Sequence, residues 1–353
     1  MRLSADLRAA RISARSSSMS DESRHERELG GQLLASVSRS FYLTLKALPA
    51  GLREPLSLAY LLARTADTLA DTVTVPAATR LECLRLYESC AQGAASASES
   101  GELSARIARE FAPLQSDAAE RRLMERFAGA LAWLGIMRPG PLRAIRGVLH
   151  HIIHGQMLDI ERFPADGRLR ALPDAAALDE YTWLVAGCVG EFWTDMCATE
   201  SPGALEADVS LDEMKKWGAA FGKGLQLVNI LRDVGEDLRD GRCYLPGVLK
   251  DGSADVAALR AAWDHWAGIC EKHLESGLPY LRHVADGKLR YATALPLLLA
   301  ARTLAKMRAA SWDEVLRGVK VSRLDVAMIL AEAAVSCRQP DKLERLYRKL
   351  GAM

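Results

Sequence analysis

Two apolar segments, each carrying two aspartates four residues apart, constrain the fold of this chain more than any other feature. They are "LAYLLARTADTLADT" at 58–72 and "FGKGLQLVNILRDVGEDL" at 221–238. At helical periodicity, Tyr60, Arg64, Asp67 and Asp71 share a sector of about 60°, and Leu58, Leu61, Leu62 and Leu69 lie off it. In the second segment, taking Gln226 as reference, Asn229 falls near about −60°, Asp233 near −20° and Asp237 near +20°. Gly222, near about −40°, is expected to leave that face open one turn earlier. Leu225, Leu227, Val228, Ile230, Leu231 and Val234 spread around the rest of the circumference. A helix apolar on most sides is buried. Asp233, Glu236 and Asp237 of "NILRDVGED" therefore fall on what reads as a buried helix, whose polar stripe must meet a cavity, a cation or both.

Like charges at i,i+4 repel and weaken an isolated helix, and burying carboxylates without partners is costly. A purely structural protein has little reason to do this twice. Mg²⁺ offers one: it prefers oxygen ligands and is usually held by one or two carboxylates, waters and substrate phosphates. Two facing helices with such pairs suit Mg²⁺ ions around a diphosphate, neutralising it as a leaving group. Arg39, Arg64 and Arg242 are then candidates for bidentate phosphate contacts. The competing reading is that the aspartates are solvated or paired with nearby arginines: Arg64 at i−3 from Asp67, and Arg232, Arg239 and Arg242 around the second motif. One D-x-x-x-D fits that reading well, since short motifs recur by chance; two on apolar helices fit it less well.

Helical spacing recurs over 26–46, 52–72, 77–92, 102–112, 117–135, 140–162, 175–199, 211–239, 255–279, 288–309 and 324–336, with no convincing strand alternation. The stretches 93–104, 163–174 and 201–210 read as loops. We therefore expect an all-α single domain over 26–353. Residues 1–25, Arg- and Ser-rich and without a secretory apolar core, are expected to be a disordered tail or a targeting segment, with Met19 as an alternative start. With 46 basic and 45 acidic residues the net charge is +1, not the basic excess of a nucleic-acid binder. Seven cysteines without a C-x-x-C pair suggest buried thiols in a reducing compartment. "ALPLLLAARTLA", at 294–305, is too short for a membrane span and carries Arg302. His150, His151 and His154 lack H-e-x-x-h spacing, so helix packing is the default for them. The seven tryptophans are read as core or cavity wall.

"SRSF" at 38–41, "YLLARTADTLAD" at 60–71, "YTWLVAGCVGE" at 181–191 and "LQLVNILRDVGEDLRDGRCYLP" at 225–246 resemble the squalene/phytoene synthase family, in the family's order. The resemblance runs over roughly residues 28–336. It implies an all-α isoprenoid synthase fold with a central cavity between helices, and Mg²⁺-dependent head-to-head condensation of two prenyl diphosphates. "DTLAD" at 67–71, "YATALPLLLAARTLAKM" and "GVKVSR" at 318–323 are more similar to the squalene branch. That branch implies two farnesyl diphosphates, presqualene diphosphate as intermediate, and reduction by NADPH to squalene.

By this resemblance Asp67, Asp71, Asp233 and Asp237 are Mg²⁺ ligands. Gln226 and Asn229 line the same site. Arg39, Ser40, Tyr60, Arg64 and Arg242 bind substrate, and Tyr181 serves the first half-reaction, where a proton is lost as the cyclopropane closes. Tyr181 also shares a helical face with Leu184, Val185 and Cys188, an apolar wall suited to a prenyl tail. Ala186, Gly187 and Gly190 are read as permitting close helix packing. NADPH rests on resemblance alone, with Phe41, Lys320 and Arg323 matching positions near the nucleotide; no G-x-G-x-x-G follows a strand. The chain reads "KVSR" where animal forms carry a denser basic run, and no membrane anchor of the eukaryotic type is recognised. A cytoplasmic enzyme, soluble or peripheral at the inner membrane face, is expected. The alternatives are a non-reductive synthase (phytoene, dehydrosqualene or presqualene diphosphate) and a non-catalytic assembly scaffold.

Overall fold

Apolar residues at helical spacing, with few β-branched runs, leave the chain little choice but helices that bury one another's faces. In the computed structural model the described residues are 28–38 and 41–352. The expected tail, Arg39 and Ser40 lie outside them. Among the described residues every element longer than two residues is a helix, in agreement with the all-α expectation. Contacts divide the chain into two compact units, one of Met1–Tyr42 with Glu54–Leu149, the other of Leu43–Arg53 with His150–Met353.

The helices up to residue 162 are α1 (Leu34–Ser38), α2 (Phe41–Ala47), α3 (Ala50–Asp71), α4 (Ala77–Gln92), α5 (Ala97–Arg106), α6 (Ala118–Glu125), α7 (Phe127–Gly135) and α8 (Pro139–Arg162). In the first unit α3 buries Leu58, Leu61, Leu62, Ala66 and Leu69. The Tyr87 hydroxyl of α4 donates to the Leu62 carbonyl at 2.8 Å, and its ring meets Phe127 of α7 edge-on, centroids 4.8 Å apart. Thr65, Thr68 and Thr72 return their hydroxyls to carbonyls one turn back in α3, and Thr72 also accepts from Gln115 Nε2 at 2.9 Å. The expected loop over 93–104 is corrected: α5 starts within it, because Ser96 and Glu99 form a capping box. That pairing satisfies two orphan N–H groups and starts a helix in a stretch of small polar residues.

The second unit holds α9 (Ala175–Thr182), α10 (Cys188–Glu200), α11 (Leu211–Arg239), α12 (Val256–Glu275), α13 (Gly277–Arg282), α14 (Gly287–Ala309), α15 (Trp312–Arg317), α16 (Arg323–Ser336) and α17 (Pro340–Ala352). A π-helical turn, Trp183–Gly187, joins α9 to α10. The spacing pattern does not anticipate α15 or α17. Helix α11 runs through the core, and its glycines are where neighbours cross. A Cβ on Gly218 would meet the Gly190 carbonyl at 2.8 Å, one on Gly222 the Ala186 carbonyl at 2.3 Å, and one on Gly235 the Leu316 carbonyl at 1.9 Å. Gly190 thus serves close packing, as expected. The expectation for Gly222 is corrected: its face is filled by backbone, not left open.

Two pairs of two-residue strands depart from pure helix. β1 (Arg170–Ala171) and β2 (Arg242–Cys243) pair in parallel, Arg170 opposite Arg242. β3 (Leu249–Lys250) and β4 (Ser253–Ala254) pair antiparallel.

Arg302, the charge that interrupts the most apolar stretch, is explained by Asp325. The Asp325 carboxylate accepts from Arg302 Nε and Nη2 at 3.2 and 3.1 Å, from Lys306 Nζ at 2.7 Å and from Ser322 Oγ at 2.5 Å. Lys306, Ser322 and Arg302 hold this carboxyl well below the usual carboxylate range. A depressed pKa contributes stability above the unfolded value and loses it as pH falls. Asp325→Asn is expected to cost about 1–3 kcal/mol at neutral pH. The difference should narrow as pH falls below the ordinary carboxylate range. Urea melts of both proteins across acid pH check this, and a pH-independent gap contradicts it.

Candidate functional site

In the first unit the stripe on α3 is present. Tyr60, Arg64 and Asp67 are half-buried and Asp71 is exposed, between fully buried leucines. The Tyr60 hydroxyl donates to the Val37 carbonyl at 3.3 Å. Phe41, expected near a nucleotide, stacks on Tyr60 with centroids 5.3 Å apart. Arg64 Nη1 donates to Asp67 at 2.6 Å, and its Nη2 pairs with Glu120 of α6. Burial works against the Arg64 charge, but Asp67 and Glu120 more than restore it, so its pKa lies above the ordinary value. Its Nε is buried without a hydrogen-bond partner. A buried orphan donor is costly, and a phosphate oxygen is the acceptor that would satisfy it.

In the second unit α11 carries the longer motif. Asn229 is exposed and donates to Gln226 at 3.5 Å. Glu236 is exposed, which corrects its expected place among buried acids. Asp233 is held in a two-point grip by its neighbour Arg232, at 2.8 and 2.5 Å. Asp237 is buried and accepts from Arg242 Nε at 3.0 Å. That contact depends on Gly241, whose φ of 80° reverses the chain just past α11, a conformation glycine adopts without a steric penalty. Strand β2 then fixes Arg242 opposite Arg170.

Burial pushes the Asp237 carboxyl up to about 7; Arg242 opposes this, while Asp233 and Asp159 add to it. Arg242 outweighs the two neighbouring acids, and burial is what keeps the carboxyl raised. Hard carboxylate oxygens whose charged form is disfavoured by burial suit a divalent cation such as Mg²⁺. Among the described residues no three His, Cys, Asp or Glu side chains are grouped to hold a metal ion. A metal here would therefore draw further oxygens from water and substrate, which is how Mg²⁺ is commonly held. The arginine pairing weighed from sequence is real: Asp67, Asp233 and Asp237 each bond a guanidinium.

Tyr181 is buried, and its ring stacks on Tyr244 at 4.8 Å. Its hydroxyl donates to the Tyr244 hydroxyl at 3.5 Å, which donates to Asp159 Oδ1 at 2.8 Å. Sequence reasoning missed Tyr244, Asp159 and Glu120. Asp159 carried only a weak signal, an acid with Gln156 at i−3 on a stretch of α8 that also holds His154, Glu161 and Arg162; Asp159 and Gln156 are buried. Tyr244 and Glu120 carried none, because their partners lie 85 and 56 residues away. Leu184 and Cys188 are buried beside Tyr181. The Cys188 thiol, pushed up to about 12 by burial, is no nucleophile. The ring of His151 packs on Trp183 at 4.8 Å, in keeping with a packing role. Lys320 and Arg323, at the start of α16, are exposed.

The sequence profile described as "Squalene/phytoene synthase" matches residues 34–325, a span that contains both aspartate motifs and Tyr181. The chain belongs to the squalene/phytoene synthase family. Relatives from both branches of the family are similar to it. The squalene synthase of Eremothecium gossypii is 28% identical over 290 residues, covering 78% of this chain and 60% of the relative. The phytoene synthase of Thermus thermophilus is 32% identical over 179 residues, 48% of this chain and 57% of the relative. In both matches the aligned region is less than two thirds of the relative's length. The solved structure titled "The complex structure of TcSQS with ligand, BPH1237" superposes with a TM-score of 0.70 at 20% identity, covering 94% of this chain and 98% of that one. A dehydrosqualene synthase structure gives 0.56 at 20% identity, covering 92% and 98%. These two establish a shared all-α fold.

Proposed function

We propose that this chain condenses two prenyl diphosphates head to head. The observation that carries the proposal is Asp237: a buried carboxylate whose pKa burial raises to about 7 although Arg242 bonds it. A divalent cation bearing a diphosphate would stabilise the charged form that burial disfavours. Asp67, Asp71, Asp233 and Asp237 would hold Mg²⁺, which supplies charge neutralisation of the departing diphosphate. Arg64 and Arg242 hold Asp67 and Asp237 until substrate binds, then present their guanidinium groups to phosphate oxygens. Arg39, Ser40, Tyr60, Gln226 and Asn229 complete the substrate contacts in this reading.

The first diphosphate leaves with its bonding electron pair, and the allylic cation is attacked by the double bond of the second substrate. Loss of one proton closes the cyclopropane. Tyr181, on its apolar wall, is the group assigned to that proton: its oxygen takes it as its own hydroxyl proton passes to Tyr244, and the Tyr244 proton to the Asp159 carboxylate. Burial raises the Tyr244 pKa well above its ordinary value, with Tyr181 and Asp159 adding to the rise, so Tyr244 acts as a neutral hydrogen-bonding hydroxyl. Excluding water from this wall protects the cation.

The finer reading is farnesyl diphosphate as substrate and NADPH-dependent reduction of presqualene diphosphate to squalene, with Phe41, Lys320 and Arg323 toward the nucleotide. The match to a phytoene synthase supports a second reading, a synthase that stops without reduction. Incubation with farnesyl diphosphate and Mg²⁺, with and without NADPH, followed by product mass, decides between them. Squalene only with NADPH is the expected result. Dehydrosqualene or a C30 diphosphate despite NADPH keeps the condensation and removes the reductive step. No product from farnesyl or longer prenyl diphosphates, with cellular function retained in Asp67→Asn, would replace both readings with a scaffold.

A further inference from the structure

Helix α16 is apolar nearly all round, although one side of it faces solvent. At about 100° per residue, Asp325, Ile329 and Ala333 form its inner face, and all three are buried. Leu324, Ala327, Met328, Ala331, Ala334 and Val335 fill an arc of about 120° on the other side, and all six are exposed. The large ones are strongly so: Leu324 is 69% exposed, Val335 74% and Met328 48%. A helix apolar on every side is ordinarily covered, and contiguous exposed apolar surface marks an interaction site. The arc is held outward, because Arg302 and Lys306 lock Asp325 against α14.

The charges around the arc choose its occupant. Glu332, at its edge, is neutralised by Lys349 at 3.1 Å. Lys320 and Arg323 at one end and Arg338 at the other are exposed. A second copy laid on this face would bring cations against cations. An apolar arc flanked by lysine and arginine fits an anionic lipid surface, apolar side chains among the acyl chains and cations at the headgroups. No described helix is long and apolar enough to cross a membrane, so α16 would lie in the plane of the interface.

We propose that the outward face of α16 docks the protein on anionic lipid bilayers. The proposal does not rest on the prenyl-transfer reading, which adds only that substrate and product of that chemistry partition into membranes. Lys320 and Arg323 are also the candidates for nucleotide phosphates, so the test replaces the arc and leaves them in place. The full chain is floated with vesicles of phosphatidylcholine plus phosphatidylglycerol, and with pure phosphatidylcholine, at low and high salt. Binding to the anionic vesicles, weakened by salt, is expected. Leu324→Glu with Val335→Glu should lower it by about tenfold or more. Both positions are surface ones, and an unchanged thermal melt shows that the variant is folded. Arg338→Glu, a surface charge reversal, should lower binding about fivefold to tenfold. Absence of binding by the parent protein overturns the proposal, as does binding that neither variant weakens. A parent dimer that the double variant dissociates, with no vesicle binding, assigns the arc to a second copy and also overturns it.

Discussion

Asp237→Asn lowers turnover by about 10²–10³-fold, the usual cost of removing one preorganised group that stabilises developing charge, and it does so without weakening the fold. The substitution keeps the shape of the side chain and removes the charge. In the folded protein the carboxyl titrates at about 7 against an ordinary 3.8. A raised carboxyl pKa means full stability below the unfolded value and loss of stability as pH rises through the folded one. Without Mg²⁺ the parent protein is therefore expected to lose stability between about pH 4 and pH 7, and the asparagine variant to lose less. Above pH 7 the variant should be at least as stable as the parent. Added Mg²⁺ with a non-hydrolysable prenyl diphosphate analogue should stabilise the parent and leave the variant nearly unmoved. Melting curves against pH, with steady-state turnover at saturating substrate, test both halves. A variant that is both inactive and markedly less stable would make Asp237 a structural partner of Arg242 and remove it from the proposed metal site.

Gly235→Ala has the largest expected effect on stability. The added Cβ would lie 1.9 Å from the carbonyl oxygen of Leu316, 2.6 Å from its carbon and 2.8 Å from its Cα. All three are backbone atoms, so no side-chain rotation relieves the clash and α15 must move away from α11. Overpacking costs about 1–3 kcal/mol where side chains can yield, and the upper end or more applies here. Gly235 lies between Asp233 and Asp237, so the displacement also tilts the carboxylates, and activity should fall with stability. Gly268→Ala in α12 is the control. Nothing lies within 4 Å of its added Cβ, and there the lower entropy of the unfolded chain is expected to stabilise by about 0.4–1 kcal/mol. Equal melting temperatures for the Gly235 variant and the parent would mean that the α11–α15 crossing is looser than the structure has it.

Much of the site was legible because it is local. Tyr60, Arg64, Asp67 and Asp71 align through helix geometry alone, as do Gln226, Asn229, Asp233 and Asp237, and the apolar residues between them show which circumference is buried. The same local rules failed where a cap or a crossing decided the matter. The Ser96–Glu99 capping box started a helix in a stretch whose composition reads as loop. Gly222 lies on the polar side of α11 by angle, yet it is covered because Ala186 approaches there. Glu236 lies one residue from a buried aspartate and is exposed because that side of α11 faces water.

By itself the sequence determined the all-α class, the two acidic stripes and the family, since each depends on periodicity or on contiguous motifs. Only the tertiary structure decided which charge each carboxylate meets and which hydroxyl meets Tyr181. Arg64 reaches Glu120 across 56 residues, and Tyr244 reaches Asp159 across 85. No spacing rule spans such separations. Those partners are selected by helix packing, where the backbone contacts at Gly190, Gly222 and Gly235 set how closely α11 and its neighbours approach.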